Sequence, residues 1–140
     1  MSLVSVDEGA IRACKLLAQG WPTYRYVGLY QNEVTIDRHV TIDKLEDCDF
    51  SGYVGRQKIE AWGPADFVGD RAVSYAAPLT WEYDGGDPSG WVVGYYVVDE
   101  DGVLLWVEER PEGPVAMVQG GQFFQVTPSL SVGTRYGGTT

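Results

Sequence analysis

Apolar and polar positions alternate with two different periods along the chain. From Ser5 to Gly20, SVDEGAIRACKLLAQG, the period is helical. Val6, Ala10, Cys14 and Leu17, with Ile11 and Ala18 beside them, form one apolar stripe. Ser5 and Glu8 make a capping box, and Asp7 and Glu8 sit where the helix dipole favours negative charge. Gly20 and Pro22 are placed to end the element. A single helix over about 5–19 is predicted.

Beyond Pro22 the period becomes two. RYVGLY, residues 25–30, reads as a strand. EVTIDRHVTI, residues 33–42, reads as another, with Val34, Ile36, Val40 and Ile42 on one face. In Gln57 to Trp62, Lys58 and Glu60 alternate with Ile59 and Ala61. Leu79, Trp81 and Tyr83 alternate with Thr80 and Glu82. DGGDPSG, residues 84–90, is a turn or loop. Residues 116–118 and 122–127 read as a strand pair around Gly120-Gly121. One helix and seven or eight short strands predict a mainly β chain. The expected architecture is an antiparallel β-sandwich, jelly-roll or immunoglobulin-like, over about 24–127, with an extended tail at 128–140. No linker or internal repeat divides the 140 residues, so one domain is expected.

The segment GWVVGYYVVDEDGVLLWVEE, residues 90–109, departs from ordinary alternation. Asp99-Glu100-Asp101-Gly102 is a hairpin turn. Strict alternation puts Trp91, Val93, Tyr95 and Val97 on one face and Val92, Gly94, Tyr96 and Val98 on the other. On the return strand, Val103, Leu105 and Val107 oppose Leu104 and Trp106. Both faces are apolar, whereas a surface hairpin is polar on one. Three covers are open for the second face: the helix, a neighbouring subunit, or none, leaving an aromatic surface for a ligand.

Composition narrows the partners. The formal net charge is −10, which disfavours phosphate backbones and anionic membranes and favours basic partner surfaces. Neither nucleic acid nor membrane is expected as a partner. Cys14 and Cys48 are too few and too far apart for a disulfide framework or a zinc site. MSLVSVDEGA has no basic n-region or long apolar core, so no secretory leader is expected.

Candidate chemistry is sparse. His39 is the single histidine and has no nucleophile motif beside it. Asp43, Glu46, Asp47 and Asp49 lack the spacing of a calcium loop, and Asp84 with Asp87 reads as a turn. Glu108 and Glu109 are adjacent on a strand and face opposite ways, unlike a glycosidase pair. No catalytic residue, metal site or cofactor is expected. A sugar-stacking platform drawn from Trp62, Trp81, Trp91, Trp106, Tyr53, Tyr95 and Tyr96 is the best ligand hypothesis, making a glycan a possible partner.

Five segments, DEGAIRACKLL, RYVGLYQNEVTI, DFSGYVGRQKIEAW, VVGYYVVDEDGVLLWVEE and GGQFFQVTPSLS, together resemble a family of small virion proteins of tailed bacteriophages. The resemblance runs in order over nearly the whole chain, which is more acidic and richer in Trp than the family pattern. It implies a structural part of a phage particle made in the host cytoplasm, with no enzyme activity and no cofactor. An accessory head decoration or cement protein is the first expectation, and a tail or baseplate component the second. The alternative is a carbohydrate-binding or host-attachment module. Contacts to other virion proteins and to copies of the chain are expected through Trp91, Tyr95, Tyr96, Leu104 and Trp106, and through the tail near Tyr136.

Overall fold

The structure, a computed structural model, describes residues 3–5, 24–60, 66–68 and 71–133, with side chains at 24–60 and 75–129. Among the described residues twelve strands follow one another: β1 (Leu3–Ser5), β2 (Arg25–Tyr30), β3 (Gln57–Lys58), β4 (Asp66–Val68), β5 (Arg71–Tyr75), β6 (Leu79–Glu82), β7 (Gly90–Val92), β8 (Gly94–Asp99), β9 (Leu104–Glu109), β10 (Val115–Met117), β11 (Phe123–Val126) and β12 (Ser129–Gly133). All pairing is antiparallel. The protein is mainly β, and its described helical content is a 3₁₀ turn at Ile42–Lys44. Ser5, the expected helix cap, is extended and pairs with Trp106. The rest of the predicted helix lies outside the described residues, as does Tyr136.

One sheet has the order β1-β9-β8-β2-β3. The remaining ladders are β10-β7, β11-β6 and β12-β5-β4. Four of the ladders share one logic. Tyr95↔Glu108, Trp91↔Ala116, Trp81↔Phe124 and Val73↔Ser131 are all placed nearly symmetrically about the turn after Asp99. Arg110 N–H donates to Val93 O at 2.9 Å, Tyr83 N–H to Gln122 O at 2.8 Å and Ala76 N–H to Pro128 O at 2.8 Å, joining the ladders. Residues 71–133 therefore form one long ribbon, β5-β6-β7-β8 running out and β9-β10-β11-β12 running back.

This corrects two expectations. Residues 116–118 and 122–127 do not pair with each other, because each joins the outgoing arm of the ribbon. Between them the Gln122 side chain closes a turn, accepting from Val118 N–H at 3.1 Å and Gln119 N–H at 3.2 Å and donating to Ala116 O at 2.7 Å. Residues 129–133 of the expected tail are a strand on β5.

At the ribbon's tip, Asp99 Oδ1 accepts from Asp101 N–H at 2.9 Å and Val103 N–H at 3.0 Å. Gly102 takes a φ of +81°, which an L side chain rarely adopts. The sequence expectation for this turn holds, but strict alternation on either side does not. Val97 pairs with Trp106 and Val98 with Leu104, so Leu105 is an extra residue. The bulge turns Leu105 and Trp106 to the same core, while Leu104 and Val107 face the other. On the outgoing strand the break is at Val93, whose N–H donates to Tyr30 O at 2.9 Å. Gly94 permits the crossing. A Cβ there would lie 2.1 Å from Glu108 O and 2.7 Å from Tyr30 Oη. Trp91 therefore does not share a face with Tyr95.

Two apolar cores result. The first joins Val27, Leu29, Val97 and Leu105 of the five-stranded sheet to Trp81, Tyr83, Val92, Met117 and Val126 of the outer ribbon. Leu79, Trp81 and Tyr83 point into it as their alternation predicts, and Trp81 Nε1 donates to Gly55 O at 2.7 Å. The second core lies on the sheet's other face: Tyr30, Val93, Tyr96, Val98, Leu104 and Val107, covered by Val40 and flanked by Val34, Ile36, Ile42 and Leu45. Burial of each full Val or Leu side chain contributes about 1.5–3 kcal/mol.

The cover is the segment between β2 and β3. Its four predicted apolar residues do share a face, yet the segment is not a strand. Asp37 Oδ1 accepts from His39 N–H at 2.9 Å, and Asp37 O from Val40 N–H at 3.2 Å, turning the chain midway. The ends are stitched together. Gln31 N–H donates to Glu46 O at 2.9 Å, Asn32 accepts from Glu46 N–H at 2.8 Å and donates to Lys44 O at 2.9 Å, and Cys48 N–H donates to Leu29 O at 3.0 Å. Residues 31–46 are thus an Ω-type loop packed by its own side chains.

Candidate functional site

The residues expected to contact partners separate into three environments. Tyr96 and Leu104 are 0% exposed, sealed under the Ω loop, so neither reaches another molecule. This corrects their assignment as contacts: the second face of the ribbon is covered by the chain's own residues 34–45. Tyr95 and Trp106 are half-buried, the latter with the Arg25 guanidinium carbon 5.8 Å from its ring centre. Trp91 is 55% exposed on β7. Further along the ribbon Val118 is 65% and Phe123 62% exposed, at the two ends of the Gln122 turn. Neither stood out in the sequence, because each follows a β pattern that reads equally well as core.

The predicted aromatic platform is not assembled. Trp81 and Tyr96 are buried in different cores, and Trp62 lies outside the described residues. Tyr53 is packed beside Phe50 at 5.4 Å between ring centres, and its hydroxyl accepts from Leu29 N–H at 3.1 Å. Burial pushes the Tyr53 phenol up to about 12.

The polar candidates serve local structure. His39 is exposed on the Ω loop. Asp43 accepts from the Thr41 hydroxyl, and Glu46 Oε1 accepts from Gln31 Nε2 at 2.8 Å. Asp47 accepts from the Tyr96 hydroxyl, which in turn accepts from Arg56 Nε at 3.0 Å. Tyr96 packs against Gly28, and the Arg56 guanidinium carbon lies 5.4 Å from its ring centre. This chain of contacts ties both ends of residues 47–56 to the sheet. Asp84 Oδ1 accepts from Gly86 N–H at 2.8 Å, which with the Ser51 hydroxyl holds its carboxyl below the usual range. Cys48 is buried and donates to Trp91 O at 3.3 Å; burial, then nearby acids, push its thiol up to about 12. Cys14 lies outside the described residues. Among the described residues no three His, Cys, Asp or Glu converge as a metal site, and no helix is long and apolar enough to cross a membrane.

One cleft of about 270 Å³ opens where the end of the β8-β9 ribbon meets β11. Tyr95 and Glu108, directly paired across the strands, form one wall. Phe124, Gln125 and Thr127 form the other, and Arg110 and Glu112 close the end. Arg110 Nη1 donates to Gly113 O at 2.9 Å and its Nε lies 3.7 Å from Glu112 Oε2. Burial raises the Glu108 carboxyl, and the positive charge of the N-terminus acts against that shift. Burial, then the charge of Glu108, raises the Tyr95 phenol as well. The convergence of residues 95, 108 and 124 follows from folding the ribbon, so no local motif announced it.

No family model matches the chain, and no curated protein or solved structure matches it either.

Proposed function

We propose that the chain is a non-enzymatic structural component of a tailed-phage virion, built as a β-sandwich by folding its long ribbon over the five-stranded sheet. An accessory position on the head is the first assignment and a tail or baseplate position the second. With the Ω loop in place, the tip of the ribbon needs no partner to cover it. Support for assembly comes instead from the ribbon's middle. Among the described residues no further strand flanks β6-β11 or β7-β10; the outgoing edge is met by side chains, Gln57 Nε2 at Thr80 O and Cys48 at Trp91 O, and the β10 and β11 edge by no described strand. On these same ladders Trp91, Val118 and Phe123 are exposed. That combination of an open strand edge and solvent-facing apolar side chains is the observation that carries the reading. It fits a subunit that adds strands or apolar contacts to a neighbour, and the resemblance to phage virion proteins gives the neighbour its setting. The net charge of −10 keeps the unassembled chain soluble and favours basic partner surfaces.

Sedimentation velocity across a hundredfold range of concentration tests this, with wild type beside Trp91→Ser/Phe123→Ser. The expected result is concentration-dependent association of the wild type, or its co-sedimentation with purified phage particles, abolished in the double variant. A wild type that stays monomeric and does not bind particles overturns the proposal.

A further inference from the structure

The returning arm of the ribbon has one edge at which backbone groups face outward. Tyr83 N–H donates to Gln122 O at 2.8 Å and Tyr83 O accepts from Gly121 N–H at 2.8 Å, so residue 83 turns both backbone groups toward the returning arm. Antiparallel ladders alternate. Trp81 and Leu79 therefore bond toward Phe124 and Val126, while Thr80 and Glu82 turn away, and Gln57 Nε2 meets Thr80 O from that far side at 2.7 Å. Opposite them, Phe123 and Gln125 direct their N–H and C=O groups away from the ribbon. Among the described residues nothing bonds to these groups, and both residues are exposed. On β10 the matching position is closed, because Ala116 O accepts from Gln122 Nε2 at 2.7 Å. The space alongside β11 is the cleft of about 270 Å³ lined by residues 124–127. Natural edge strands are usually guarded by charge or proline. The β11 sequence, FFQV, carries neither. From Gly113 to Thr134 there is no Asp, Glu, Lys or Arg, the longest such stretch in a chain of which 21% is charged.

The charge pattern decides the occupant. A basic partner is drawn to carboxylates, and β11 offers none; Glu82 lies across the ladder from Phe123, one strand back from the edge. Two copies of a chain at net charge −10 repel, and an uncharged edge lets them approach with the least repulsion. The edge is also self-complementary. A two-fold axis at Phe124 sets Phe123 opposite Gln125 of the partner subunit, so both outward pairs exchange N–H···O bonds and the two Phe124 residues meet at the axis. We propose that β11 is the dimerisation edge of this protein: two copies pair through it antiparallel, with Phe123 opposite Gln125, into one sheet of order β6-β11-β11-β6. This pairing rests on the reading of the chain as an assembling subunit, and holds whether or not its setting is a phage particle.

Sedimentation velocity of the full chain, wild type beside Gln125→Pro, tests the pairing, together with hydrogen exchange read amide by amide in the wild type. Proline removes the outward N–H of residue 125 and leaves the bonds to β6 in place. A wild-type dimer is expected, strengthened by added salt as the like charges are screened, with association at least about tenfold weaker for Gln125→Pro. As the wild type is concentrated, exchange at the Phe123 and Gln125 amides should slow at least about tenfold, while the Phe124 and Val126 amides, bonded within the ladder, are slow throughout. A wild type that stays monomeric, one that dimerises with exchange at Phe123 and Gln125 unchanged, or association weakened by salt overturns the proposal. In each of these cases binding to purified phage particles would leave the assembly reading standing, and a monomer that also fails to bind particles removes both. The exchange measurement uses the wild type, so it decides even if Gln125→Pro fails to fold.

Discussion

Gly28→Ala is expected to destabilise the protein through a single side chain, Tyr96. A Cβ at Gly28 would lie 2.4 Å from both Cζ and Oη of Tyr96 and 2.8 Å from Cε1, so something must move. Gly28 has no positive φ, so Ala meets no backbone strain and the cost is steric. Tyr96 has little room to yield. It is 0% exposed, donates to Asp47, accepts from Arg56 Nε at 3.0 Å and has the Arg56 guanidinium carbon 5.4 Å from its ring centre. Overpacking of this kind costs about 1–3 kcal/mol. If the ring swings aside, its hydrogen bonds to charged partners, about 1.5–3 kcal/mol each, are lost instead. Against this, Ala restricts the unfolded chain and returns about 0.4–1 kcal/mol. The protein takes the cheaper route, and with the ring held in place the net expectation is a loss of about 1–2.5 kcal/mol, or a fall in Tm of about 3–9 °C at this chain length. Urea denaturation measures the first and calorimetry the second. A cycle with Tyr96→Leu isolates the contact, because the new methyl has nothing to strike once the phenol is gone. The double variant should be more stable than the sum of single effects by at least about 1 kcal/mol. A Gly28→Ala protein within about 0.5 kcal/mol of wild type, or strict additivity with Tyr96→Leu, refutes the packing described here.

Three further outcomes are expected. Cys48, buried and with its thiol raised to about 12, should resist iodoacetamide in the native protein near neutral pH and react fully in denaturant, as read by mass mapping of its peptide. Because burial raises the Glu108 carboxyl above its ordinary 4.5, the folded state holds that proton more tightly than the unfolded state. Its contribution is present below that value and is lost as pH rises through the window above it; Glu108→Gln should flatten that part of the stability-against-pH curve in chemical denaturation. Trp91→Ser should leave the thermal midpoint within a few degrees of wild type, because a side chain 55% exposed contributes little to the core, and a large loss would place Trp91 in the fold rather than on its surface.

Much of the fold was legible because a period of two reports which side of a strand is apolar. Leu79, Trp81 and Tyr83 face the first core as their spacing implies, and Asp99 to Gly102 make the turn their residue types demand. The same signal is silent on which strand lies alongside. Residues 116–118 and 122–127 looked like neighbours because they are close in sequence, while their partners are β7 and β6. Alternation also fails wherever one residue is inserted. The bulge at Leu105 and the crossing at Val93 each shift the phase by one, which moved Trp106 and Trp91 off their expected faces. Val34, Ile36, Val40 and Ile42 were correctly placed on one face, but the Asp37 turn that makes their segment a loop depends on a side-chain hydrogen bond. Of the candidate site, Tyr95 was named from the sequence. Its partners Glu108 and Phe124 come from separate parts of the ribbon, and only the folded pairing brings them together.

The claim on which the rest depends is that residues 34–45 cover the outer face of the β8-β9 ribbon within one chain. Methyl NOE spectroscopy of dilute, monomeric protein tests it most directly. Cross-peaks are predicted from the Val40 methyls to the methyls and ring of the second core, Val98, Leu104, Val107 and Tyr96 among them, with intensities independent of concentration. If those cross-peaks are absent and the ribbon resonances shift as the protein is concentrated, the cover is a neighbouring molecule and the account is wrong.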